Sequence, residues 1–334
     1  MTPKQNRSEP YSLPTTATEA DADDQDIAPA CVMAFNANDP SGAAGLAADI
    51  GAINSVGAHC LPVVCGAYVR DTTGITDHFA FDDEAVAEQA RTALEDVQVQ
   101  LIKVGFAGSP ENLSAVAQIA SDYTETPLVT YLPDLSWWDE RSMENYLDAL
   151  RELLLSQTTV LVGNHNTLWR CLLPDWTQQR SPSARDLAKA AADLGVPYTL
   201  VTGILLPEQL IDNVLASPQA VLYSQKFERF DAVFCGAGDT LSAALSALLA
   251  SGCDLAAAVE EALGYLDRSL DGGFRPGMGQ VIPDRLFWTQ TGEETDIEAA
   301  IPEPVAPDKT TPSDSPAAAP PLETWSIPPH DTRH

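Results

Sequence analysis

Short apolar runs alternate with stretches of helical periodicity through most of the chain. CVMAFNA (31–37), LPVVCGAYV (61–69), VQLIKVGF (99–106), PLVTYL (127–132) and TTVLVG (158–163) are apolar throughout rather than at every second residue. Between them lie helical patterns that begin at Ala44, Asp82 and Glu111 and that span 143–155. Strands apolar on both faces and separated by helices predict a mostly parallel sheet covered on each side, a doubly wound α/β fold. After a helix at 183–194 the pattern changes. PYTLVTG (197–203) is followed by AVLYSQ (220–225) and KFERFDAVF (226–234), two abutting alternating runs that predict an antiparallel hairpin at one end of the sheet. A glycine-containing turn then opens an Ala- and Leu-rich helix at 234–252, and a last helix runs over 254–270.

The ends read differently. Residues 1–29 are polar and carry the acidic run Glu19, Asp21, Asp23, Asp24 and Asp26, predicting a disordered acidic tail. Residues 289–334 are rich in proline and alanine and predict a second disordered tail, which leaves 30–288 as the folded domain. Net charge sharpens the picture: 18 Lys and Arg against 48 Asp and Glu give −30 in 334 residues. Such a surface repels phosphate backbones and anionic lipid, which argues against a nucleic-acid or membrane partner. The six cysteines fall mostly in apolar runs, with no pairing at zinc spacing. No segment has the apolar length of a membrane helix or a secretory leader, so a reduced, cytoplasmic protein is expected.

Two loops carry candidate chemistry. Gly236, Ala237 and Gly238 precede a helix, where backbone N–H groups can converge on an anion in the favourable field of the helix dipole. Asp239, beside them, would repel a resting phosphate, but it can accept the proton of an alcohol under phosphorylation. The second loop, 38–49, follows the first strand. Gly42 permits close approach of backbone to ligand there, and Asp49 lies on the helix beyond. Alone, either loop can equally be a packing device.

Together the loops resemble those of the ribokinase-like superfamily, and more closely its hydroxymethylpyrimidine and phosphomethylpyrimidine kinases. NANDPSGAAGLAAD (36–49) is similar to that family's GTDPSGGAGIQAD, KVGF (103–106) to its KIGM, and GMGQV (277–281) to its closing GxGPV, while Asn164 stands where its TPN motif ends. The resemblance implies a three-layer α/β/α kinase that uses ATP and Mg²⁺ to phosphorylate a hydroxymethyl group in thiamine biosynthesis. It implies Asp239 as base, with Gly236, Ala237 and Gly238 holding the transferred group. It implies Asp49, Gly42, Arg70 and Phe106 against the substrate and Asn164, Thr202, Gly203 and Thr240 against the nucleotide. A small-molecule substrate and a homodimer are the expected partners.

This chain also departs from the family pattern. Thr167 stands where the family has a glutamate that orders the Mg²⁺ water shell, Thr202 where it has a lysine, and Tyr131 nearest an aspartate, with Asp134 close by and Asp231 a further candidate. The metal ligands are left unassigned. Arg70 replaces a glutamine, and a guanidinium only donates hydrogen bonds. It can face an anionic ligand, pair with Asp49, or sit at a solvated strand end. Beside the pyrimidine kinase stand two alternatives: a kinase of another small alcohol, pyridoxal-like or anionic, and a non-catalytic pyrimidine-binding module. His59, His78, His165, Trp137, Trp138 and Trp169 receive no chemical role.

Overall fold

A computed structural model describes residues 28–290. The tails expected at 1–29 and 289–334 lie, but for two residues each, outside this range. The strands are β1 (Cys31–Asn38), β2 (His59–Arg70), β3 (Ile75–Ala80), β4 (Leu101–Val104), β5 (Leu128–Leu132), β6 (Val160–Asn164), β7 (Tyr198–Leu205), β8 (Leu210–Ala216) and β9 (Val221–Glu228). They form one nine-stranded sheet in the order β3-β2-β1-β4-β5-β6-β7-β8-β9. From β2 to β7 neighbours run parallel, while β3, β8 and β9 are antiparallel additions at the two edges.

The apolar-throughout strands behave as the pattern predicts. In β1, Val32 and Ala34 pack toward α1 (Gly45–Ser55), α7 (Ala237–Ala250) and α8 (Leu255–Asp271), whereas Met33, Phe35 and Ala37 pack toward the opposite layer. That layer holds α2 (Asp83–Asp96), α3 (Pro110–Asp122), α4 (Glu140–Ala149), α5 (His165–Leu172) and α6 (Ala184–Asp193). Two cores, one on each face, make the three-layer α/β/α architecture. After Ala149, α4 widens into a π-helical turn at Leu150–Leu154. All six cysteines are free, and no helix among the described residues is long and apolar enough to cross a membrane.

The hairpin expected between 220–225 and 226–234 does not form. Residues 221–228 run on as one strand, and the hairpin partner of β9 is β8. The reversal between β7 and β8 uses Glu208 and Gln209 in left-handed conformation (φ 62° and 58°), a geometry usually signalled by Gly or Asn. Without that signal the turn and β8 stay hidden. Strand β3 was also unread, because most of its side chains are exposed and its alternation has no buried face.

Helix starts position the site. Asp82, Ser109, Asp139, Asn164 and Ser183 accept backbone N–H bonds at the starts of α2, α3, α4, α5 and α6. Neither α1 nor α7 has a side-chain cap. Both open at the carboxyl edge of the sheet, near β1 and β4, where strand order reverses and open α/β sheets bind ligands.

Candidate active site

The α7 start is a backbone device. Gly236 adopts φ 79°, and a Cβ there would lie 1.7 Å from the Ala43 carbonyl oxygen, so only glycine lets the two loops meet. A Cβ on Gly238 would lie 2.1 Å from the Tyr131 hydroxyl, so that phenol packs directly on the turn. Gly236, Ala237, Gly238 and Asp239 line one wall of a cleft of about 500 Å³, which Arg70, Asn164 and Thr202 also line. Seven of the residues expected at the site thus face one space. Tyr131 and Asp134 are shared with an adjoining cleft of about 470 Å³ that includes Thr167 and Arg170.

The other five lie off the cleft wall. Gly42 (φ 72°) turns the first loop. Phe106 is buried with its ring stacked 5.4 Å from that of Tyr68. Gly203 (φ 68°) donates its N–H to Asn213 Oδ1 at 2.9 Å. Thr240 is fully buried and donates its hydroxyl to the Gly236 carbonyl at 2.8 Å. Asp49 sits under the floor with no exposure, its carboxylate held by the Lys103 ammonium and by Asn36 Nδ2 at 2.9 Å.

Asn36 and Lys103 are the main residues that sequence reasoning missed. Asn36 Nδ2 also donates to Asp239 Oδ1 at 2.9 Å, and Lys103 Nζ lies 3.6 Å from the same oxygen. Asn36 Oδ1 accepts the N–H groups of Ala37 and Phe106, which locks the amide's orientation. Gly105 leaves it space, since a Cβ there would come within 2.3 Å of the Asn36 amide. Burial raises the Asp49 carboxyl to about 6, outweighing the attraction of Lys103, and the negative field of Asp239 adds to the rise. One buried cation is thus shared by two carboxyl groups, and Asp239 reaches the cleft with its rotamer fixed from below.

Arg70 does not pair with Asp49. Its Nη1 lies 3.5 Å from Asp39 Oδ2 and its Nη2 donates to Cys235 Sγ at 2.8 Å. Asp39 in turn accepts from Ser41 and the Ala44 N–H, so it organises the first loop. Burial pushes the Cys235 thiol up, and Arg70 opposes that rise. Across the cleft, Thr202 pairs in register with Asn164 and donates its hydroxyl to Gly163 O at 3.3 Å.

Solved structures with this architecture include the ADP complex of Bacillus subtilis pyridoxal kinase, with TM-score 0.69 and 19% identity over 78% of this chain and 99% of that one. The phosphomethylpyrimidine kinase of Clostridium difficile superposes with TM-score 0.59 and 19% identity over 73% and 99%. The fold is therefore that of the ribokinase-like kinases. A family model described as phosphomethylpyrimidine kinase matches residues 39–284, and the chain belongs to that family. Its relatives include the hydroxymethylpyrimidine/phosphomethylpyrimidine kinase of Streptomyces coelicolor, 27% identical over 258 residues, which covers 76% of this chain and 93% of that protein. The Mycobacterium leprae protein of the same name is 27% identical over 270 residues, 78% and 95% of the two chains.

Proposed function

We propose that the chain transfers the terminal phosphoryl group of ATP to the hydroxymethyl oxygen of hydroxymethylpyrimidine or its phosphate, in thiamine biosynthesis, with Asp239 as general base. The observation that carries this reading is the juxtaposition of Asp239 with the α7 turn, its carboxylate oriented by Asn36 and Lys103. Asp239 would take the alcohol proton as the oxygen attacks. The N–H groups of the turn would hold the transferred oxygens, a task in which positioning and charge compensation supply nearly all the catalysis.

Among the described residues no three His, Cys, Asp or Glu side chains group as a metal cage. The donor set fits Mg²⁺ held largely by phosphate and water, with Asp134 as its carboxylate at the junction of the two clefts. The cation would supply charge neutralisation. Asn164 and Thr202 would flank the polyphosphate.

The neutral side chains at Thr167 and Thr202, with the Tyr131 phenol against Gly238, favour a second reading, a pyrimidine-binding protein without turnover. A coupled ADP-release assay over hydroxymethylpyrimidine, its monophosphate, pyridoxal and pyridoxine separates the two. ADP release dependent on the pyrimidines upholds the proposal; release only with the pyridoxal-type alcohols transfers it to the other substrate class. Binding of the pyrimidine without ADP release favours the second reading.

A further inference from the structure

Arg285 lies one residue beyond the span matched by the family model. It is buried, and its side chain enters between α1 and α7. Gly51 makes room for the stem, since a Cβ there would lie 3.0 Å from Arg285 Cδ. Nε donates to Thr240 Oγ1 at 2.9 Å, Nη1 to Gly42 O at 3.3 Å, and Nη2 to Ala43 O. Thr240 passes the contact on to the Gly236 carbonyl. Ser55 and Tyr265 hydroxyls both donate to the Arg285 carbonyl, at 3.0 and 2.9 Å, so the backbone is pinned as well.

None of the ion pairs among the described residues includes Arg285. A buried charge with no ion pair in contact is costly, and a neutral amide could donate to part of the same acceptors without that cost. The retained charge is explained if a negative group arrives on the other side of the turn. That side is the cleft wall at 236–239. Burial lowers the guanidinium's proton affinity, and among the groups that oppose this the largest influence is Asp239, so the arginine's field reaches the site.

We propose that Arg285 is a positioning residue for phosphoryl transfer, fixing the 236–238 turn from behind and supplying positive potential to the phosphoryl group held there. The inference rests on the kinase reading above. The test uses the full chain and the variants Arg285→Lys, Arg285→Gln and Arg285→Ala. Turnover in the Gln and Ala variants should fall about 10- to 100-fold, less than the loss of a donor touching the anion, with KM for the alcohol little changed. Arg285→Lys should keep several times the turnover of Arg285→Gln. Guanidinium ion should restore Arg285→Ala, and urea, its neutral counterpart in shape, should not. Equal turnover in the Lys and Gln variants, or rescue by urea as complete as by guanidinium, overturns the proposal.

Inorganic phosphate titrated by calorimetry reads the same charge without turnover. Its Kd should rise about tenfold in Arg285→Gln and little in Arg285→Lys. Should the Gln and Ala variants fail to fold, Arg285→Lys against the unmodified chain decides: a tenfold loss of phosphate affinity there overturns the proposal, because the charge has been kept. An unmodified chain that releases no ADP with any alcohol sinks the kinase reading instead, and the phosphate titration still judges Arg285.

Discussion

The two sides of the cleft are built on different principles. On the β1 and β4 side, Asn36, Asp49, Lys103 and Asp239 form a buried network in which each group has its partner from the chain itself. On the β6 and β7 side, Asn164, Thr167 and Thr202 bring neutral groups, and Asn164 is exposed. The first side is preorganised: its desolvation and orientation costs are met during folding, before any ligand arrives. The second has Arg170 on its adjoining cleft, and in the proposed reaction most of its charge compensation would arrive with the nucleotide and its cation. On the proposed reading the chain would supply the base from the first side, while on the second side the ligand would bring most of what steadies the phosphates.

The sharpest way to break that contrast is Lys103→Met. Removing one partner from a buried charge cluster leaves two carboxyl groups uncompensated, an expected loss of about 3 to 5 kcal/mol. The thermal midpoint should drop by roughly 10 °C for a domain of this size, and an unchanged midpoint would mean the network is not held together by that cation. Next comes Asp239→Ala, for which turnover should fall at least about 10²-fold with nucleotide affinity largely kept. Near-normal turnover would remove Asp239 from the reaction.

A smaller effect is read through pH. The Asp49 carboxyl is raised from its ordinary 3.8 to about 6 in the folded chain. Between those values the folded state holds a proton that the unfolded state has released. Asp49 therefore favours folding at acid pH, and that contribution is lost as pH rises through about 6. Urea unfolding of the unmodified chain and of Asp49→Asn should show their stability difference shifting against the unmodified chain, on the order of 2 kcal/mol from pH 4 to 7. Parallel pH curves would show that Asp49 is not raised. The smallest expected change is a gain. Thr202→Lys places a cation on the neutral side and should tighten MgATP binding about 3- to 10-fold by calorimetry. No change would place the phosphates away from Thr202.

The same contrast governs how legible the molecule was. Strands apolar on both faces announce a covered parallel sheet, and Asp82 and Ser183 announce the helices they cap. The 236–239 turn and the 36–49 loop could be read because their chemistry lies in contiguous residues. Lys103 was harder, since it stands in LIKV, a strand buried at every position, and its meaning depends on Asp49 and Asp239 far away in the chain. Such a lysine inside a fully apolar run is itself a signal, because an ammonium is rarely buried without a partner. Asn36 stood inside a motif read for its glycines. Arg70 faced the cleft as one of its readings allowed, but its partner proved to be Asp39, a choice set by loop geometry that spacing does not encode.

The closing segment also bears on how the protein is made. Gly279 donates its N–H to the Thr72 hydroxyl at 3.1 Å across 207 positions of sequence, and the Arg285 guanidinium meets Ala43 across 242. Contacts of such span form late, since the intervening chain must be present and its loop closed first. A growing chain on the ribosome can hold the first loop and even Asp239 long before Arg285 has emerged. The native 236–238 anchorage is therefore completed only after Arg285 has emerged, so chains released before Arg285 lack this clasp even when the sheet has been synthesised.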